Sequence, residues 1–208
     1  MLLNHSKYLE NAVHEIAKLP GIGQRTALRL ALHVVKMKLP DVQILTNTLL
    51  ALKQELTRCQ CCYNLSDTEI CDICAQVKRD HETVCVVQDI RDLIAIENTS
   101  QYFGLYHVLG GIISPMDGVS PEQLTLKELF LRANNENIKE IILALPGTVE
   151  GDMTNFYIYE RVKNLVPEIT TLARGVGVGE ELEYANEDSI GRSILARTHF
   201  ETVFNRQK

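Results

Sequence analysis

Five of the six cysteines in this 208-residue chain, Cys59, Cys61, Cys62, Cys71 and Cys74, fall within one short stretch. Cys59 and Cys62 are separated by two residues, as are Cys71 and Cys74, and eight residues lie between the pairs. A two-residue gap bends the backbone into a knuckle whose two sulfurs reach one ion at about 2.3 Å, and two knuckles complete a tetrahedron. Protein then fills all four positions and leaves none for water, so the spacing describes a structural site, with Zn2+ as the expected ion. The stretch between the pairs, Tyr63 to Ile70, is short and polar, so ion binding there is folding energy. Cys61 breaks the symmetry of the pairs and reads as a bystander thiol. Cys85, in the run Val84-Cys85-Val86-Val87, reads as a small core residue.

The start of the chain, Met1-Leu2-Leu3-Asn4-His5-Ser6, does not read as a secretory signal, because His5, Lys7, Glu10 and Glu15 interrupt any apolar run. A cysteine cluster without such a signal points to metal before disulfides. No apolar run is long enough to span a bilayer. With 45% hydrophobic and 23% charged residues, the composition is that of an ordinary globular chain. The expectation is a cytoplasmic protein with no membrane partner.

Hydrophobic spacing divides the chain into four segments. Residues 1–58 are expected to be all helical: Leu9, Val13 and Ile16 mark a first helix, and Gln24 to Met37 a second. Leu39-Pro40 should stop that helix, with Asp41 capping a third. Residues 59–74 form the cysteine module. Residues 82–177 alternate strands (Thr83 to Gln88, Tyr106 to Leu109, Glu140 to Leu145, Ile169 to Leu172) with helices, two of them starting at Pro121 and Thr154, which implies a small parallel α/β sheet. Residues 178–208 contain a last helix and are expected to pack or oligomerise.

The net charge is −6, yet the first 58 residues hold eight Lys or Arg against four acids. That excess surrounds Leu19-Pro20-Gly21-Ile22-Gly23, which joins two helices. Two glycines one residue apart permit a tight hairpin with positive φ. The next helix then begins with unpaired N–H groups and no crowding side chains, a natural phosphate site. Arg25 and Arg29, four apart, share a helical face beside it. Contacts of this kind grip a DNA backbone without reading its sequence. Used only for the bend, the same glycines would make a plain helical corner.

Glu150 and Asp152 follow the strand Glu140 to Leu145, where open α/β sheets place their ligands. Such a pair can hold Mg2+ or a partner; equally, acids near a helix start favour its dipole. The alternation Gly175-Val176-Gly177-Val178-Gly179-Glu180 has neither the Lys nor the spacing of a phosphate loop and reads as a connecting or interface loop.

A helical front with this glycine turn, then four cysteines, then an α/β segment, resembles the bacterial RecR recombination family over nearly the whole chain. Ala95-Ile96-Glu97, Tyr106 to Gly111, Ile113-Ser114-Pro115, Asp117-Gly118, Thr148 to Gly151, and Gly179 with Leu182-Glu183-Tyr184 carry the likeness. The resemblance implies a helix-hairpin-helix, a four-cysteine zinc finger and a Toprim fold for residues 82–177. It also implies a ring-like homo-oligomer, dimer or tetramer, around single- or double-stranded DNA. RecO and RecF are the implied partners in helping to load RecA onto coated single strands. The family's DNA-contacting basic residues map to Arg25 and Arg29, with Gly21 and Gly23 in the turn. Two departures stand out: Gln88 where Toprim enzymes carry Glu, and Asn186 where the family commonly shows Asp. An amide cannot serve as general base or as a carboxylate ligand, so no enzymatic activity is expected. The alternatives are a Mg2+-dependent Toprim nuclease or strand-passing enzyme using Glu150 and Asp152, and a zinc-stabilised interaction module with no DNA role.

Overall fold

The computed structural model describes residues 6–173, 175–177, 179 and 181–197, with Asp188 by its backbone only. Readings that fall on Met1 to His5, Val178, Glu180 and residues 198–208, including much of the C-terminal segment, lie outside the described residues. The chain divides into two compact units, residues 1–56 and residues 57–208.

In the first unit, α1 (Lys7–Ile16) starts at Ser6, whose hydroxyl accepts the Leu9 N–H, and is followed by α2 (Gln24–Lys36). Val13 of α1 is buried with Ala27 and Ala31 of α2, and Leu9, Ile16, Ile22 and Leu28 pack around them. The alanines leave room for the two helices to approach closely. The third helix, α3 (Leu39–Glu55), begins earlier than expected, with Lys38 as N-cap and Asp41 inside its first turn. Pro40 therefore starts this helix, because the N–H it lacks has no partner in a first turn. None of the side chains of α3 is buried.

The second unit opens with a short antiparallel hairpin, β1 (Thr57–Arg58) and β2 (Leu65–Ser66), followed by the single turn α4 (Asp72–Ala75). The α/β body then contains β3 (Asp80–Val87), α5 (Ile90–Asn98), β4 (Gly104–Val108), α6 (Leu126–Asn135), β5 (Glu140–Ala144), α7 (Val149–Val162) and β6 (Glu168–Thr171). A final helix, α8, spans Glu187–Leu195. The four long strands pair in parallel in the order β4-β3-β5-β6.

Two expected helices change their starts. The segment at Pro121 makes only a 3-10 turn, Pro121–Gln123, and α6 begins at Leu126. The expected helix at Thr154 starts at Val149, because the Thr148 hydroxyl caps it by accepting the Gly151 N–H. A Cβ on Gly151 would lie 2.0 Å from the Pro146 carbonyl oxygen, so this tight strand-to-helix turn admits only glycine.

Alternation along β3 supplies both faces of the sheet. Val84 and Val86 join Leu109, Leu129, Ile141 and Ile158 in the larger core, while Cys85 and Val87 join Leu93, Tyr106 and Val108 on the other face. Each such aliphatic side chain contributes about 1.5–3 kcal/mol on burial. Arg79, Glu97 and Tyr106 tie the start of the sheet to α5: Glu97 accepts from the Tyr106 hydroxyl at 2.7 Å and from Arg79 at 3.0 and 2.5 Å.

Candidate metal centre and nucleic-acid face

The β1–β2 hairpin and α4 bring the cysteines together. The Cys59 N–H donates to the Asn64 carbonyl at 2.8 Å, and the Tyr63 N–H returns to the Cys59 carbonyl at 3.0 Å. Tyr63 takes φ +62, the left-handed conformation that closes the first knuckle. Cys71 caps α4, which carries Cys74 one turn later. The four sulfurs lie within 4.8 Å of one another, Cys62 Sγ and Cys71 Sγ at 3.5 Å, and a tetrahedron of Zn–S bonds has edges of about 3.8 Å. All four residues are buried, and the Cys71 N–H points at Cys59 Sγ from 3.3 Å.

The donor chemistry fits a divalent ion. The Cys62 thiol is held below its ordinary range, chiefly by a hydrogen bond from Cys74; that bond pushes Cys74 up, and burial pushes Cys71 up. A soft-liganded cation relieves this competition by binding the sulfurs together as thiolates. Cys61 is half-buried and outside the set. Among the described residues, no other grouping of three or more His, Cys, Asp or Glu has its ligand atoms this close.

The turn Leu19-Pro20-Gly21-Ile22 closes with the Ile22 N–H on the Leu19 carbonyl at 3.0 Å. Pro20 and Gly21 hold its central positions, and Gly21 has φ +77, as a type II turn requires. The positive φ that the two glycines permit is used at Gly21 alone; Gly23 is the N-cap of α2 at φ −81, an ordinary extended conformation. No side chain caps this helix start, no acid lies in its first turn, and a Cβ on either Gly21 or Gly23 would meet nothing within 4 Å. Free N–H groups thus face open space. Arg25 and Arg29 are exposed beside them, and neither forms an ion pair among the described residues. Exposed His33 and Lys36 continue the same side of α2 at helical spacing. The sequence reading did not single out these two, although a step of four from Arg29 reaches His33 and a further step of three reaches Lys36.

At the strand ends, Gln88 follows β3 and its carbonyl accepts the Gly110 N–H at 2.9 Å. Glu150 and Asp152 lie in the first turn of α7, not in a loop before it. Two residues apart on a helix, their side chains diverge by about 200°. Asp152 faces Arg192 of α8 at 3.7 Å across a cleft of about 500 Å³ that Asn155, Phe156 and Tyr159 also line. The two carboxylates therefore do not converge on a common point. The sequence reading also missed His107 and Arg132. His107 is fully buried, its Nε2 2.9 Å from the Thr125 carbonyl oxygen, and burial lowers its pKa to about 4. Alternation in β4 could have placed it inside; nothing local marks its partner.

Hairpin, thiolate knuckles and parallel sheet define a helix-hairpin-helix protein with a four-cysteine module on a Toprim body. Residues 9–53 match the family described as RecR, helix-hairpin-helix, residues 56–76 match the RecR four-cysteine zinc finger domain, and residues 82–173 match the Toprim domain. The recombination protein RecR of Flavobacterium johnsoniae is 52% identical over 199 residues, covering 96% of this chain and 97% of its own. That of Bacteroides thetaiotaomicron is 53% identical over 195 residues, covering 94% and 95%. The chain belongs to the RecR family of recombination proteins. Its relatives carry the name of a recombination protein and not of an enzyme, and no helix among the described residues is long and apolar enough to cross a membrane.

Proposed function

We propose that this chain is a DNA-binding recombination mediator that grips the sugar-phosphate backbone at the α1–α2 corner. The observation that carries this reading is the bare start of α2: open space over Gly21 and Gly23, helix-start N–H groups with no side-chain cap, and exposed Arg25 and Arg29 beside them, in no ion pair among the described residues. Amides at a helix start and the positive end of its dipole suit phosphate, and the arginines add charge without base readout. Single and double strands offer the same rail. The organisation is a hairpin region at residues 1–58, a Zn2+ finger held by Cys59, Cys62, Cys71 and Cys74 within residues 59–74, a Toprim body at residues 82–177 and a C-terminal segment at 178–208.

A clamp around DNA needs more than one copy. Uncovered Leu39, Ile44, Leu49 and Leu52 on α3 support self-association, since apolar side chains on a helix with nothing buried are an interface in waiting. RecO and RecF are the protein partners in this reading, in the cytoplasm, where the mediator helps load RecA onto single-stranded DNA. Glu150 and Asp152 serve that acidic, partner-facing side in preference to Mg2+, because they diverge and Gln88 supplies no third carboxylate.

The test is a gel shift over a salt series. Replacing Arg25 and Arg29 with Ala should weaken binding about tenfold or more at low salt and flatten the log–log salt slope by up to about two units. An unchanged slope would overturn the assignment.

A further inference from the structure

The sheet has two edges, β4 and β6, of different character. β6 is four residues long with Glu168 and Thr171 exposed, and a short polar edge discourages strand pairing. β4 presents no such polar edge: all five residues of Gly-Leu-Tyr-His-Val are buried, and none is charged at neutral pH.

Four of its outward main-chain groups are instead covered one at a time. The Gly104 carbonyl accepts from Arg79 at 3.0 Å, the Tyr106 carbonyl from Arg132 at 2.7 Å, and the Val108 carbonyl from the Thr125 hydroxyl at 2.8 Å. The Val108 N–H donates to the Cys62 carbonyl at 2.8 Å. The next amide, Leu109 N–H, points the opposite way to the Val87 carbonyl of β3 at 3.0 Å. Three covers are side chains; the fourth is the backbone of a residue whose sulfur belongs to the thiolate set. The same module lays the Tyr63 ring on His107, with centroids 5.4 Å apart, and packs Ile73 against the cluster holding Tyr106 and Val108.

The module buries little besides its own sulfurs, with Ile70 and Ile73 beside them, and the larger core of the body contains none of its residues. Losing the ion should therefore undo the cover and leave the sheet standing.

We propose that the metal-bound four-cysteine module is a latch on the β4 edge: with the ion in place the Cys62 carbonyl occupies the Val108 amide, and without it that edge opens. The latch rests on reading the four thiolates as a metal site. The experiment is residue-resolved amide hydrogen exchange on the full chain before and after chelation, with metal content measured on the same samples. The Cys71→Ser, Cys74→Ser double variant runs in parallel. After ion loss, Val108 exchange should rise by about a hundredfold or more while Leu109 and β5 change by less than about threefold. The double variant should show the same split. Val108 remaining slow without the ion overturns the latch; so does equal acceleration at Val108, Leu109 and β5, since the module would then hold up the whole sheet. A protein isolated without metal contradicts the metal reading alone, and the double variant then decides the latch: Val108 equally slow in both proteins defeats it.

Discussion

The corner at Gly21 to Gly23 and the knuckles at Cys59 to Cys74 are both turns that link regular elements, yet one is the other turned inside out. At the corner every group with chemistry to offer faces solvent, and ordinary packing of Val13 on Ala27 and Ala31 holds the frame. In the module the four ligand cysteines are all buried, while Gln60, Asp67, Glu69 and Asp72 make the outside polar. A surface built to bind phosphate works through what is missing, a Cβ and a carboxylate. A module without an oily core works through what is present, four sulfurs awaiting one ion.

If that contrast is right, removing a ligand is the largest perturbation available, and it stays local. Cys62→Ser should abolish bound metal and lower the stability of the cysteine module itself by several kcal/mol, on the order of 5, since structural zinc contributes about 10–16 kcal/mol to such modules. Metal analysis and amide exchange across residues 59–74 measure both effects. The α1–α2 pair should keep its amide protection; loss of protection there would break the contrast, because the corner would then depend on the ion as well.

His107 sharpens the comparison from the body's side, where it lies under the module. Its folded-state pKa of about 4 is below the ordinary 6.5, so the unfolded chain binds a proton the folded one refuses. Stability is complete above pH 6.5 and falls as the pH drops toward 4, by about 3 kcal/mol from this group. Unfolding followed against pH at saturating metal should show that slope, and His107→Gln should flatten it. A wild-type profile level between pH 6.5 and 4 would mean the ring is wetter than its burial indicates.

The two glycines divide conformation from contact. Gly21→Ala forces a side chain to φ +77 and should cost about 1–2 kcal/mol of stability. Gly23→Ala, at φ −81 with open space around it, should change stability by less than about 0.5 kcal/mol. Its methyl would still crowd the helix start, so DNA affinity should fall about threefold or more. Full affinity in Gly23→Ala would reduce the corner to a bend.

Much of this was legible in the residues. The CxxC pairs gave the thiolate set because ligand spacing is a local rule, and β3 was plain because Thr83 to Val87 is a β-branched run. Helix starts were harder. Pro40 and Thr148 act through capping and first-turn geometry that override the end of an apolar period, so α3 and α7 begin upstream of where periodicity put them. The covering of β4 was invisible, since Arg79, Arg132 and Cys62 reach it from 25 or more positions away in sequence, and only the folded chain brings them together.

The smallest expected effect tests the acids that the sequence placed at a ligand site. Asp152 pairs with Arg192 at 3.7 Å, both side chains about half exposed, and such pairs contribute about 0–1 kcal/mol. Asp152→Asn should therefore lower the melting temperature by no more than about 4 °C. It should also leave metal content unchanged, because the four thiolates lie elsewhere. Incubation of single-stranded and supercoiled DNA with Mg2+ supplies the decisive arm. Divergent carboxylates with an amide at Gln88 cannot clamp two oxygens of a phosphoryl transfer, so neither wild type nor Glu150→Gln should cut or relax either substrate. Turnover by wild type that disappears in Glu150→Gln would show that α7 presents its acids to a metal after all, and would move the chain's chemistry from the bare corner to the strand ends.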